Sequence, residues 1–243
     1  MSERTLKLTI AALGGQGGHV LSGWLIAIAE RNGWLVQATS VPGVAQRTGS
    51  TLYYLEFLAR ATAQSRGRDP VMALMPVPGD VDCLVAAELA EAGRAIARGL
   101  VSERTTLIAS THRAYAIAEK SALGRGITDP QQLRELVRGQ GRRAVMFDME
   151  EAAERNRSHI SAVLLGAICG AGVLPFSKES FAEAISRSGL SVTTNLAAFE
   201  DAWQQARSEA PRASAAASRG KAALPAVPQT ARTPALQPQY VFR

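Results

Sequence analysis

Residues 5–39 read TLKLTIAALGGQGGHVLSGWLIAIAERNGWLVQAT, and this stretch decides the fold. Thr5 to Leu13 is a short, mainly apolar run that reads as a strand entering the core. Gly14-Gly15-Gln16-Gly17-Gly18 breaks it. From His19 to Asn32, Val20, Leu21, Trp24, Leu25 and Ile28 recur at helical spacing, and Gly33 stands where a helix cap is expected. Trp34 to Thr39 reads as a second strand. The result is a strand–glycine turn–helix–strand unit, the kind that builds parallel sheets through right-handed crossovers.

Outward from this unit, further strands are predicted at 50–58, 82–87, 105–109 and 143–147, with helices at 88–100, 130–138, 158–171, 178–188 and 191–206. Ser177 is placed as an N-cap, with Phe176 and Phe181 able to staple across it. Val192, Leu196, Phe199 and Trp203 give the final helix one apolar face, leaving Glu200 and Asp201 to water. The expected class is α/β: a Rossmann-like, three-layer, mostly parallel sheet with helices on both faces, spanning residues 1–206. Residues 207–243 hold ten alanines and five prolines with few large apolar side chains. Such a segment buries too little surface to offset its ordering entropy, so a flexible Ala/Pro-rich tail is expected.

The chain has 243 residues, 47% hydrophobic and 20% charged, enough for a core without a disulfide or metal staple. Its net charge is +6, but Arg207, Arg212, Arg219, Lys221, Arg232 and Arg243 against Glu209 alone put +5 of that into the tail. A near-neutral body lacks the basic surface that tracks nucleic-acid phosphates. The apolar part of the longest uncharged stretch, Ala162 to Leu174, is too short for a membrane span. With no export signal, a soluble cytoplasmic protein is expected, with neither nucleic acid nor membrane as partner. Cys83 and Cys169 sit in apolar surroundings without a CxxC partner, which argues for a reduced interior and against a cysteine-ligated iron–sulfur cluster on this chain.

Two loops carry the candidate chemistry. A glycine turn between a first strand and a helix exposes backbone N–H groups at a positive helix end, which suits a phosphate or pyrophosphate. The Gly-x-Gly-x-x-Gly spacing is absent, because the sixth position from Gly15 is Val20, and no acid follows the second strand. The other reading of these glycines is close helix–strand packing. The second loop, Ser40-Val41-Pro42-Gly43-Val44-Ala45-Gln46-Arg47-Thr48-Gly49-Ser50, leaves the carboxyl end of the second strand, so both loops should face one crevice. There Arg47 offers a permanent cation with a donor fork, and Gln46 an amide. The three histidines have no metal-ligand spacing, and Asp148, Glu150 and Glu151 fit a helix start better than catalysis. Ser110-Thr111-His112 lacks a nucleophile elbow. No catalytic residue is assigned: by itself the chain does not read as a complete enzyme.

Leu13-Gly14-Gly15-Gln16-Gly17-Gly18 and Val41 to Ser50 resemble the two signature loops of the gamma-type domain of 2-oxoacid:ferredoxin oxidoreductases. The resemblance continues through Asp80 to Glu88, Glu91-Ala92-Gly93-Arg94, Leu164 to Ala167 and Asn195 to Phe199, in family order over residues 5–205. The Pro-Gly-Val-Ala-Gln-Arg-Thr-Gly form is most similar to the smaller (beta) subunit of indolepyruvate:ferredoxin oxidoreductases. That likeness implies a subunit of a complex that oxidatively decarboxylates an aryl 2-oxoacid, typically indolepyruvate, to the aryl-acetyl-CoA, with ferredoxin as electron acceptor. It implies that thiamine diphosphate and [4Fe-4S] clusters belong to a large alpha partner subunit, and that this chain binds no cofactor alone. Gly14, Gly15, Gln16, Gly17, Gln46, Arg47 and Asn195 become candidate contacts to coenzyme A or the partner. Relatives with these loops often continue into a second C-terminal domain, where this sequence has its Ala/Pro-rich segment. The alternative is a free-standing nucleotide-binding oxidoreductase or ligand sensor using the glycine turn.

Overall fold

The structure is a computed structural model, and it describes residues 4–42, 50–65, 67, 70–113 and 129–209. In chain order these form β1 (Leu6–Leu13), α1 (Gly18–Arg31), β2 (Trp34–Pro42), β3 (Ser50–Ala59), α2 (Arg60–Ser65), β4 (Cys83–Ala86) and α3 (Leu89–Ala97). Then follow β5 (Thr106–Ser110), α4 (Pro130–Arg138), β6 (Arg143–Phe147), α5 (Met149–Arg155), α6 (Ile160–Ala171), α7 (Lys178–Ser188) and α8 (Val192–Ser208). The sheet order is β2-β3-β1-β4-β5-β6. Every strand is parallel except β3, which runs antiparallel to both its neighbours. The first unit therefore contains the expected crossover, but β1 and β2 do not pair. Only seven residues separate β2 from β3. So short a connection permits an antiparallel return and no crossover, and β3 takes the place beside β1.

Both faces of the sheet are covered, as parallel strands require. In β4, Cys83 and Val85 join a core with α1, α5, α6, α7 and α8, while Leu84 and Ala86 join a second core with α3 and α4. Local chemistry sets the helix starts. Ser177 Oγ accepts from the Ser180 N–H at 3.3 Å, and the Phe176 and Phe181 rings lie 6.4 Å apart across it. Asp148 caps α5 by accepting from the Glu151 N–H at 3.0 Å. Asp148, Glu150 and Glu151 thus open a helix of seven residues, too short to show periodicity in the sequence. Glu200 and Asp201 are partly exposed on the outer side of α8, as expected, and each is also ion-paired there. Glu200 pairs with Lys178 at 2.6 Å, and Asp201 accepts from Arg155 at 2.7 Å and Asn156 at 3.1 Å.

The first core is closed by a close crossing of α6 on α8. A Cβ on Gly166 would collide with the Phe199 carbonyl oxygen, and one on Gly170 would meet the Trp203 carbonyl oxygen at 2.6 Å. α8 runs to Ser208. The Arg143 guanidinium donates to the Ala171, Ala206 and Glu209 carbonyls at 3.2, 2.8 and 2.7 Å, capping the ends of α6 and α8. The tail from residue 210 onward lies outside the described residues. Among those described, no helix is long and apolar enough to cross a membrane.

Candidate functional site

The chain leaves β1 toward β2 on one side and leaves β4 toward β5 on the other, so the sheet changes winding direction between β1 and β4. A crevice at the carboxyl ends of the strands opens at such a point. The glycine turn forms one wall. Gln16 N–H donates to the Leu13 carbonyl at 3.1 Å, and Leu13 N–H donates back to Gln16 Oε1 at 2.7 Å, so the amide side chain braces the turn. Gly17 is the N-cap of α1 at φ +66°, and no side chain caps that helix.

The five residues of the turn divide by what surrounds them. A Cβ on Gly17 would lie 3.0 Å from Ser161 Cβ, and one on Gly18 would lie 2.5 Å from the Tyr53 ring, so these two glycines serve close packing. Gly14 and Gly15 are exposed, and a Cβ on Gly15 would meet nothing within 4 Å. The close-packing reading therefore holds for Gly17 and Gly18, while Gly14 and Gly15 stand exposed at the end of β1.

Gln46 and Arg47 lie outside the described residues, although both anchors of their loop are placed. Pro42 pairs with Thr51, and Ser50 stands opposite Leu13, immediately before the glycine turn. The loop thus leaves the carboxyl end of β2 and rejoins the sheet beside the carboxyl end of β1. Asn195 is buried: its amide donates to the Leu190 carbonyl at 2.7 Å, and its Oδ1 accepts from Ser158 Oγ at 2.6 Å. It ties the start of α8 to the turn before α6, whose Ser161 backs Gly17, and so stands one layer behind the glycine turn.

The opposite wall is one to which the sequence assigned no role. Glu88, buried at the N-terminus of α3, accepts from the Ala90 and Glu91 N–H groups at 2.9 and 3.2 Å and pairs with Arg113 at 3.3 Å. Glu91, also buried, pairs with Arg94 and accepts from Ser50 Oγ at 2.7 Å. Carboxylates are stabilised at a helix N-terminus, and here each has further donors to offset its burial. Ser50 thereby links the first residue of β3 to α3 across the sheet end. The spacing of Glu88, Glu91 and Arg94 along one helix face was the available signal; Arg113 carried none.

This arrangement sets an exposed glycine turn at the end of β1 and buried carboxylates in ion pairs at the start of α3. Among the described residues, no group of three or more His, Cys, Asp or Glu side chains is placed to hold a metal ion. Burial pushes the Cys83 thiol far above its ordinary value and raises Cys169 to about 12, so neither is a thiolate at neutral pH.

A family model described as pyruvate ferredoxin/flavodoxin oxidoreductase matches residues 7–205. No curated protein sequence matches the chain. Solved structures share the fold, three of them as follows. A 2-oxoglutarate:ferredoxin oxidoreductase from Magnetococcus marinus superposes with a TM-score of 0.61 at 15% identity, covering 87% of this chain and 32% of that one. This chain thus spans about a third of that protein's length. Pyruvate oxidoreductase subunit PORC from Thermotoga maritima gives 0.57 at 19% identity, covering 83% and 96%. A keto/oxoacid ferredoxin oxidoreductase gamma subunit from Geobacter sulfurreducens gives 0.56 at 16% identity, covering 84% and 99%.

Proposed function

Since this chain belongs to the pyruvate ferredoxin/flavodoxin oxidoreductase family, we propose that it is the smaller subunit of a 2-oxoacid:ferredoxin oxidoreductase complex, specific for an aryl 2-oxoacid such as indolepyruvate. In this reading a large partner carries thiamine diphosphate and the [4Fe-4S] clusters, and ferredoxin takes the electrons. Bond breaking belongs to the partner's cofactor. This chain covers the reaction site and receives coenzyme A.

The observation that carries the reading is the carboxyl end of β1, next to the change of winding between β1 and β4. There the exposed Gly14-Gly15 backbone and the α1 end, uncapped by any side chain, lie next to Ser50, where the Gln46–Arg47 loop rejoins the sheet. Coenzyme A brings a pyrophosphate and a 3′-phosphate, the groups such a backbone wall and an arginine fork accept. The Magnetococcus protein was solved with 2-oxoglutarate, coenzyme A and succinyl-CoA bound. That supports the ligand class for this fold.

The test is reconstitution with the thiamine-bearing partner under anaerobic conditions. The expected result is a complex that turns over indolepyruvate in preference to pyruvate and 2-oxoglutarate, with no activity from this chain alone. Arg47→Ala is expected to raise KM for coenzyme A roughly tenfold, the scale of one lost charge-assisted contact. Unchanged kinetics with unchanged subunit stoichiometry would overturn the assignment of Arg47. Preference for a non-aryl 2-oxoacid would overturn the substrate class.

A further inference from the structure

The two edges of the sheet are treated differently. β6 is five residues long and opens with Arg143, a short and blunted edge. β2 is nine residues, Trp34-Leu35-Val36-Gln37-Ala38-Thr39-Ser40-Val41-Pro42, without one charge, and among the described residues it pairs with β3 on its inner side only. Ala38 and Ser40 are exposed. A long uncharged edge presents a row of backbone donors and acceptors that another strand can use.

Beside this edge runs the segment 70–78. Gln37 Nε2 donates to the Ala73 carbonyl at 3.0 Å, Thr39 Oγ1 donates to the Leu74 carbonyl at 2.7 Å, and Ala73 N–H donates to buried Glu56 at 3.0 Å. These bonds hold the segment over the β2–β3 half of the second face. Its apolar side chains point outward: Val71 is 100% exposed, Leu74 67%, Met75 55% and Val77 51%.

We propose that two copies of this chain pair through β2, antiparallel across a two-fold axis at Ala38, joining their sheets into one and burying both 70–78 segments along the seam. The occupant of a bare edge has to be a strand. The second copy's β2 is an identical strand with the same unmet hydrogen-bonding groups, and a two-fold removes both edges in one closed assembly. With Ala38 opposite Ala38, Gln37 meets Thr39, Val36 meets Ser40 and Leu35 meets Val41, so no charge faces a charge. The area agrees. The exposed apolar groups of the 70–78 segment amount to a few hundred Å², on the order of the largest patch on an ordinary monomer. A standard interface takes about 800 Å² from each partner. An edge roughly 30 Å long supplies the rest. The proposal rests on the edge itself and is independent of the substrate reading.

Sedimentation velocity on the full chain from about 1 to 100 μM tests it. The expected result is a dimer that Ala38→Lys, setting two ammonium groups together at the axis, splits into folded monomers, while Ala38→Thr leaves it intact. Leu74→Asp is expected to weaken it at least tenfold. A wild-type monomer throughout, or a dimer indifferent to Ala38→Lys, overturns the proposal. Should Ala38→Lys not fold, amide exchange of wild-type β2 decides: slowing as the chain is concentrated supports the pairing, and no change overturns it.

Discussion

At the scale of single residues, neighbouring glycines of one turn are under opposite constraints. Gly18→Ala drives a methyl into the Tyr53 ring and is expected to cost about 1–3 kcal/mol by overpacking. Gly15→Ala meets no atom and carries only the strain of a left-handed backbone at φ +87°, about 1–2 kcal/mol. Denaturant midpoints of the two variants, each with the Tyr53→Ala background, separate the causes. Removing the ring is expected to relieve the first and leave the second unchanged. Arg143 is a second such residue. Its cation satisfies carbonyls at the ends of α6 and α8 with no acid partner among the described residues, and Arg143→Ala is expected to destabilise by about 2–3 kcal/mol.

Between elements, α6 and α8 show packing overriding helix propensity. Alanine in place of glycine favours a helix interior by about 1 kcal/mol. Gly23→Ala, on the exposed side of α1 with open space at its Cβ, is expected to gain up to that amount. Gly166→Ala is expected to lose stability despite the same propensity gain, because the methyl has to displace the α8 backbone. Thermal melts of the pair give opposite signs if crossing distance, and not propensity, governs α6. The α5–α8 contact supplies a pH dependence. Burial pushes the Asp201 carboxyl up, but hydrogen bonds from Arg155, Gln205 and Asn156 outweigh it and hold the group below its ordinary value. A depressed carboxyl stabilises the fold above the usual aspartate range near pH 4, and the benefit is lost as the pH falls through the lowered value. Urea midpoints are expected to fall in that acidic window for the wild type, and less so for Asp201→Asn.

At the scale of the molecule, the sequence made the first forty residues legible because apolar periodicity and glycine punctuation are local signals. The same holds for the Ser177 cap, the Phe176–Phe181 staple and the assignment of strands to an α/β sheet with both faces covered. The antiparallel insertion of β3 was less legible, since pairing partners depend on how a short loop returns and not on the strand's own pattern. We further propose, from its composition, that the segment after Glu209 adds nothing to the folded unit. A chain truncated there is expected to melt within about 2 °C of the full one, a shift worth well under 1 kcal/mol; a larger loss would show that the segment packs on it.

The sequence by itself determined the order and type of the six strands and the longer helices, and the family resemblance. Each of these is written in residues close together along the chain. Only the tertiary structure decided which glycines pack and which are exposed, and that Asn195 has both ends of its amide engaged. It also decided that Ser50 bonds Glu91 at the start of α3, and that β2 is an edge strand among the described residues. Those outcomes depend on which distant segments meet, and a hydrogen bond such as that from Ser50 to Glu91 joins residues whose separation along the chain leaves no periodic trace.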